Sequence, residues 1–170
     1  LEIMSNDPYT GNIGGQLSRI MSTVELPRYN VYHCYAVETT VPLTGGKPTK
    51  LWTEKGGRHA DWGELQSRLI ESLSLFKGNL IILMGSTPMH LLLDTPRINS
   101  IKNHRGSIYN TNDFPHLVDR LPNKLILLTY SARSTQSGLG CDPLNQYVIM
   151  NDFNKGKALL DNPALMEDRK

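Results

Sequence analysis

Two short, strongly apolar runs constrain the fold of this chain more than any other feature. They are Asn79–Gly85 (NLIILMG) and Lys124–Tyr130 (KLILLTY). Each run is too short to cross a membrane, and neither alternates apolar and polar residues as a half-buried strand does. Continuous apolar runs of this length are typical of strands that are buried on both faces, as in a parallel sheet. We therefore expect the two runs to lie side by side in an α/β fold.

Polar residues follow both apolar runs. The first run leads into Gly85-Ser-Thr-Pro88, in which Pro88 suits a first helical turn and Thr87 suits an N-cap. The second run leads into Ser131–Thr135. Because ligands in open α/β sheets bind just beyond the carboxyl ends of the strands, we expect Gly85 and Ser131 to lie close together in a common cleft.

Helical and extended patterns alternate along the rest of the chain. A glycine-rich loop is predicted at 7–15, helices are predicted at 16–24, 61–76 and 88–93, and strands are predicted at 29–37 and 107–109. Asp142 and Pro143 are predicted to begin a last helix. The core candidates in that helix are Leu144, Val148, Phe153, Leu159 and Leu160. This alternation predicts one domain, residues 1–170, with a three-layer α/β/α sandwich around a short, mostly parallel, four-stranded sheet.

Composition limits the classes of function without selecting one. The 170 residues carry a net charge of +2 and an isoelectric point near 8.6, which permits a nucleic-acid partner but does not require one. Cys34 and Cys141 lack metal-ligand spacing, so we expect a reduced, cytoplasmic protein. No apolar run approaches the roughly 20 residues of a membrane span, and no signal peptide follows Leu1. A chain that begins at Leu1 is compatible with processing or truncation that removes a first strand.

Several short segments, taken in order, are similar to motifs of one protein family. They are Pro8–Gly11 with Gly15-Gln16-Leu17, Asn30-Val31-Tyr32, Leu83–Thr87 with Leu91-Leu92, Arg105–Tyr109, Thr129–Arg133 and Asn151-Asp152-Phe153. In this order they resemble the uracil-DNA glycosylase superfamily, nearest its thermophile-type (family 4/5) branch and phage relatives. The resemblance spans nearly the whole chain, and its specificity lies in the order of the pieces. It implies a partner in single- or double-stranded DNA, a role in DNA replication or repair, and a location in the host cytoplasm if a phage encodes the chain.

The resemblance also implies positions for a base pocket. Tyr9 falls on the aromatic residue that stacks on the base, and Gly11 belongs to the same pocket. Tyr35 stands where the family has an Asn that reads the uracil edge, and Ser131 stands where it has a charge-stabilising His. A phenol lacks the amide's paired donor and acceptor, and a hydroxyl cannot carry positive charge. The water-placing residue would belong to a strand before Leu1, so no catalytic residue is assigned.

The loop after the second run is the segment that meets the DNA backbone in the resembled family. Arg133 and Ser134 carry groups that bind phosphate, and Leu139 has the character of an apolar wedge that fills the gap left by a flipped base. The same residues are also typical of an ordinary solvated loop. The family's iron–sulfur cysteines fall on Thr39 and about Asp61, so we expect no cluster and no other cofactor or metal.

Three functions stay open on the sequence. The first is a DNA-binding module without efficient base excision. The second is an active uracil-DNA glycosylase that hydrolyses the N-glycosidic bond. The third is a protein-interaction module that binds a replication protein or polymerase.

Overall fold

The computed structural model describes residues 11–26, 31–34, 36, 51–52, 55, 57–136 and 141–162. This part of the chain forms an α/β fold. Its helices are α1 (Gly11–Thr23), α2 (Trp62–Ser74), α3 (Ser86–Leu93), α4 (Ile101–His104) and α5 (Asn145–Asp161), and its strands are β1 (Leu80–Met84), β2 (Ile108–Asn110) and β3 (Leu125–Thr129). Short 3₁₀ helices follow β2 and β3, at Thr111–Asp113 and Ala132–Thr135.

The two apolar runs form the paired strands that the sequence predicts. β1 and β3 are parallel, with Leu80 opposite Leu125 and Met84 opposite Thr129. Residues on alternate sides of β1 enter different hydrophobic clusters, because helices cover both faces of the sheet. Continuous apolar sequence is therefore required on both strands.

Helices on the two faces of the sheet form two separate cores. The α2 and α3 side holds the larger cluster, which includes Leu69, Leu92 and Ile126. The α1 and α5 side holds the second, built on Ile20 and Phe153. These residues are at most 3% exposed. The observed layers agree with an α/β/α arrangement for the described residues.

The predicted sheet of four mostly parallel strands is wrong for the described residues. They form a mixed sheet of three strands in the order β1-β3-β2, in which β2 pairs antiparallel with β3. The direction of β2 follows from where it begins. The amide of Gly106, two residues before β2, donates to the carbonyl of Leu128 near the carboxyl end of β3 at 2.6 Å. The chain can only run back from there.

The predicted strand at 29–37 is also not observed in its described residues. Residues 31–34 and 36 belong to no strand. Aromatic and β-branched residues favour a strand only where a neighbour offers a ladder, and no described strand pairs with this segment.

Helix boundaries and some core positions differ from the predictions. α1 begins at Gly11, so the predicted glycine-rich loop is wrong from Gly11 onward. The N-cap of α3 is Gly85, and the predicted N-cap, Thr87, lies inside the helix. The last helix begins at Asn145, after a turn that leaves Leu144 exposed, and Leu160 is exposed as well. Phe153 and Leu159 are buried as predicted, Val148 is half-buried, and the buried helix face also contains Ile149.

No helix in the described ranges combines the length and the apolar character needed to cross a membrane.

Candidate functional site

The carboxyl ends of β1 and β3 meet, as the sequence predicts. The amide of Gly85 donates to the carbonyl of Thr129 at 2.9 Å. A Cβ placed on Gly85 would lie 3.1 Å from the Cβ of Ser131. We call this end of the sheet the carboxyl edge, and define it by Gly85–Thr87, Gly106 and Tyr130–Ser134. The predicted proximity of Gly85 and Ser131 is therefore confirmed.

Gly85 makes the turn from β1 into α3. Its φ of +92° and ψ of 178° are a combination open essentially to glycine alone. The turn leaves Ser86 and Thr87 exposed in the first turn of α3. The unpaired amides at a helix start, together with the positive end of the helix dipole, favour anions. This side of the carboxyl edge thus suits a negatively charged ligand.

The loop after β3 is held in one conformation by its own hydrogen bonds. The amide and hydroxyl of Ser134 both donate to the carbonyl of Ser131, at 3.0 and 2.7 Å. The carbonyl of Ser134 accepts from the Asp142 amide at 2.8 Å and from the Asn145 side chain at 3.1 Å. The Arg133 side chain is exposed, and it makes no hydrogen bond or ion pair within the described residues. In the described part of the loop, a fixed backbone therefore presents the Arg133 cation at the surface.

Arg105, the first residue of the Arg105–Tyr109 motif, binds a buried carboxylate. Asp152 is 1% exposed. Its two oxygens accept from Arg105 Nη2 at 2.7 Å and Arg105 Nε at 3.2 Å, and one also accepts from the Thr129 hydroxyl at 2.8 Å. The hydrogen bond to Asp152 raises the pKa of Arg105 against the opposing effect of burial, and the charges of Asp152 and Tyr130 raise it further. Arg105 is thereby neutralised.

Gly106 allows the close approach that this ion pair needs. Its φ is +74°, and an added Cβ would lie 3.0 Å from Asp152 Oδ1. The Lys155 ammonium donates to the Gly106 carbonyl, so α5 holds the start of β2 through two residues. Arg105 and Asp152 belong to two separate motifs of the resemblance, which does not predict that they form an ion pair. A charged residue between apolar Ile149 and Phe153 on a buried helix face is the signal that would have indicated a buried partner.

α1 begins on the side of the sheet where α5 begins. Gln16 Nε2 donates to Gln146 Oε1 at 3.2 Å, and Lys157 Nζ donates to the Val24 carbonyl at 2.7 Å. The first contact joins the middle of α1 to the first turn of α5, and the second joins the residue after α1 to the later part of α5, so the two helices run parallel. Gly11 therefore lies at the end of α1 that is nearest the carboxyl edge.

The structure brings three of the predicted site residues together and places a fourth on the same side of the sheet. Ser131, Arg133 and Ser134 belong to the carboxyl edge, and Gly11 begins α1 at the end nearest to it. Tyr9, Tyr35 and Leu139 lie outside the described residues. Among the described residues, no group of three His, Cys, Asp or Glu side chains is placed to hold a metal ion.

No model of a known protein family matches the chain, and no curated protein matches it. The resemblance to uracil-DNA glycosylases therefore stays a prediction.

Proposed function

We propose that the chain is a DNA-binding module of replication or repair, which binds the phosphate backbone at the carboxyl edge and has a uracil-DNA glycosylase-like architecture. The observation that supports this most is the convergence of Gly85 and Ser131, with Arg133 two residues further on, exposed and without an ion pair among the described residues. Polar exits of parallel strands are the usual ligand site of α/β sheets.

The groups at the carboxyl edge match the groups that hold nucleic-acid backbones. Arg133 supplies charge, and Ser86, Thr87 and Ser131 supply hydroxyl donors. The start of α3 adds backbone amides, although Pro88 contributes none. Such contacts recognise phosphate and carry no base information, so the proposal is for binding with little sequence preference.

Binding of fluorescent single- and double-stranded oligonucleotides, followed by anisotropy over a range of salt concentrations, tests the proposal. Arg133→Ala removes one phosphate contact, so it should weaken binding and lower the slope of log affinity against log salt by about one. Arg97→Ala is the matched control. Arg97 is exposed and lies beyond the far end of α3, about 12 Å along that helix from the carboxyl edge.

Equal losses from Arg133→Ala and Arg97→Ala would show that binding is diffuse and that the carboxyl edge is not the site. Absence of measurable DNA affinity, together with capture of a replication protein, would favour the protein-interaction function instead.

A second candidate function, hydrolysis of uracil-DNA, needs a carboxylate or amide that places water at this edge. The two described carboxylates nearby are engaged, since Asp152 binds Arg105 and Asp142 Oδ1 accepts from the Leu144 amide at 2.9 Å. Asp7 lies only four residues before Gly11, a reach of at most about 14 Å. Asp7 is therefore the carboxylate that the chain can bring to the edge most readily.

Incubation with a uracil-containing oligonucleotide, followed by alkali, tests this second function. If strands are cleaved, Asp7→Asn should reduce the rate by a factor of about 10² or more, while Glu2→Gln should leave it unchanged. Absence of cleavage over many hours, with DNA binding intact, would leave the binding module as the function.

A further inference from the structure

An apolar cavity lies along the free side of β1. Its volume is about 460 Å³. Its lining includes the whole of β1 and Val31–Cys34. Leu17 and Met21 of α1 and Leu69 and Leu73 of α2 complete the lining. The cavity is therefore bordered by helices from both faces of the sheet.

The wall formed by β1 is a strand edge. The Asn79 carbonyl accepts from the Leu125 amide at 2.8 Å, and the Gly85 amide donates to Thr129 at 2.9 Å. Every second residue of β1 therefore bonds to β3, and the others turn their amide and carbonyl groups the opposite way. The residues that face the cavity in this way are Leu80, Ile82 and Met84. No strand in the described part of the chain pairs with them.

An apolar cavity is a costly place for unpaired backbone groups, because each costs free energy comparable to a lost hydrogen bond. A ligand that is apolar along its sides and polar along its backbone satisfies both the lining and the edge. An extended peptide strand has this chemistry.

We propose that Leu1–Met4 of this chain binds along β1 as a further strand. Four extended residues span about 13 Å, close to the length of the five-residue β1. Three of the four residues are apolar, and the segment contains no Gly or Pro. The other long stretches outside the described residues fit less well: 163–170 begins with Pro and ends in four charged residues, and 37–50 contains two Pro and two Gly.

The position of α1 sets the direction of this strand. Gly11 lies near the carboxyl edge, and six residues, Ser5–Thr10, connect it to Met4. A strand parallel to β1 ends at that same edge, so the connection is short. An antiparallel strand would end at the far end of β1, and the six residues would first have to run back along the whole strand, about 13 Å. We therefore assign the parallel direction.

Amide hydrogen exchange of the unmodified protein, followed by NMR, tests the assignment. The amides of Leu80, Ile82 and Met84 should exchange as slowly as those of Ile81 and Leu83, and the Ile3 side chain should show contacts to Ile82. Ile3→Asp should increase exchange at the first three amides by about tenfold or more, relative to Ile81 and Leu83. Val41→Asp, in 37–50, is the matched control and should leave all five amides unchanged.

Three results would overturn the inference. Fast exchange at Leu80, Ile82 and Met84 in the unmodified protein would show that no strand covers the edge. Loss of protection in Val41→Asp but not in Ile3→Asp would assign the edge to 37–50. Protection that rises with protein concentration would assign it to a second copy of the chain. If Ile3→Asp does not fold, the contacts of Ile3 in the unmodified protein decide. The inference does not depend on the proposed DNA binding.

Discussion

Replacing Arg105 by Leu should destabilise the protein far more than an ordinary loss of an ion pair. The variant keeps the apolar stem of the side chain but removes the guanidinium. Asp152 then stays buried with the Thr129 hydroxyl as its one remaining side-chain donor within the described residues. A buried charge without its partner is among the most unfavourable changes that a single substitution can produce.

The magnitude follows from burial on the two sides of the pair. Removing one partner of a fully buried pair costs about 3–5 kcal/mol. The Arg105 side chain is 32% exposed, so water can reach the vacated side of Asp152 and recover part of that cost. We therefore expect a loss of about 2–4 kcal/mol in the free energy of unfolding. In an Asp152→Asn background, where no charge is stranded, the same Arg105→Leu change should cost about 1 kcal/mol.

Urea denaturation, followed by circular dichroism and by the fluorescence of Trp52 and Trp62, measures these differences. Arg68→Leu is the matched control, because Arg68 pairs with Glu64 on the exposed surface of α2. That change should cost only about 0.3–0.5 kcal/mol. The reasoning fails if Arg105→Leu costs no more than Arg68→Leu, or if the losses from Arg105→Leu and Asp152→Asn simply add.

Two further predictions concern backbone conformation and pH. Gly85→Ala should lower the free energy of unfolding by about 2–3 kcal/mol, because Gly85 has a positive φ and an added Cβ would lie 3.1 Å from Ser131. The control, Gly63→Ala, changes an open helical position and should raise the free energy of unfolding by up to about 1 kcal/mol. Thermal unfolding measures both, and equal effects would refute the argument. Burial lowers the pKa of His90 from 6.5, so the unfolded chain binds a proton first as the pH falls. The stability that neutral His90 contributes is therefore present above pH 6.5 and is lost as the pH falls below it. The urea midpoint should change less between pH 7 and pH 5.5 in His90→Gln than in the parent protein. An equal change in both proteins would contradict this.

The central strands could be predicted because their signal is local. A continuous apolar run bounded by Gly85 or by polar residues needs no knowledge of the rest of the chain. The meeting of Gly85 with Ser131 followed from the same signal, since parallel neighbours end at one edge. The predicted helices at 16–24 and 61–76 were recovered for the same reason, because their apolar spacing lies within the segment itself.

The features that could not be predicted from the sequence depend on contacts between residues that are distant along the chain. The direction of β2 depends on the bond from Gly106 to Leu128, 22 positions away. The Arg105–Asp152 pair joins residues 47 positions apart. Residues 31–34 have strand-forming composition, but composition cannot show whether a neighbour offers a ladder.

The charges at the carboxyl edge fix how strongly salt should affect DNA binding. Arg105 is neutralised by Asp152, which leaves Arg133 and, on the neighbouring α4, Lys102 as exposed cations without an ion pair among the described residues. Two phosphate contacts predict a slope of about −1.8 for duplex DNA, or roughly a twelvefold loss of affinity between 50 and 200 mM salt. A slope of about −4 or steeper would require further cations. Lys47 and Lys50 would be the first to replace, since they stand in the 37–50 segment outside the described residues.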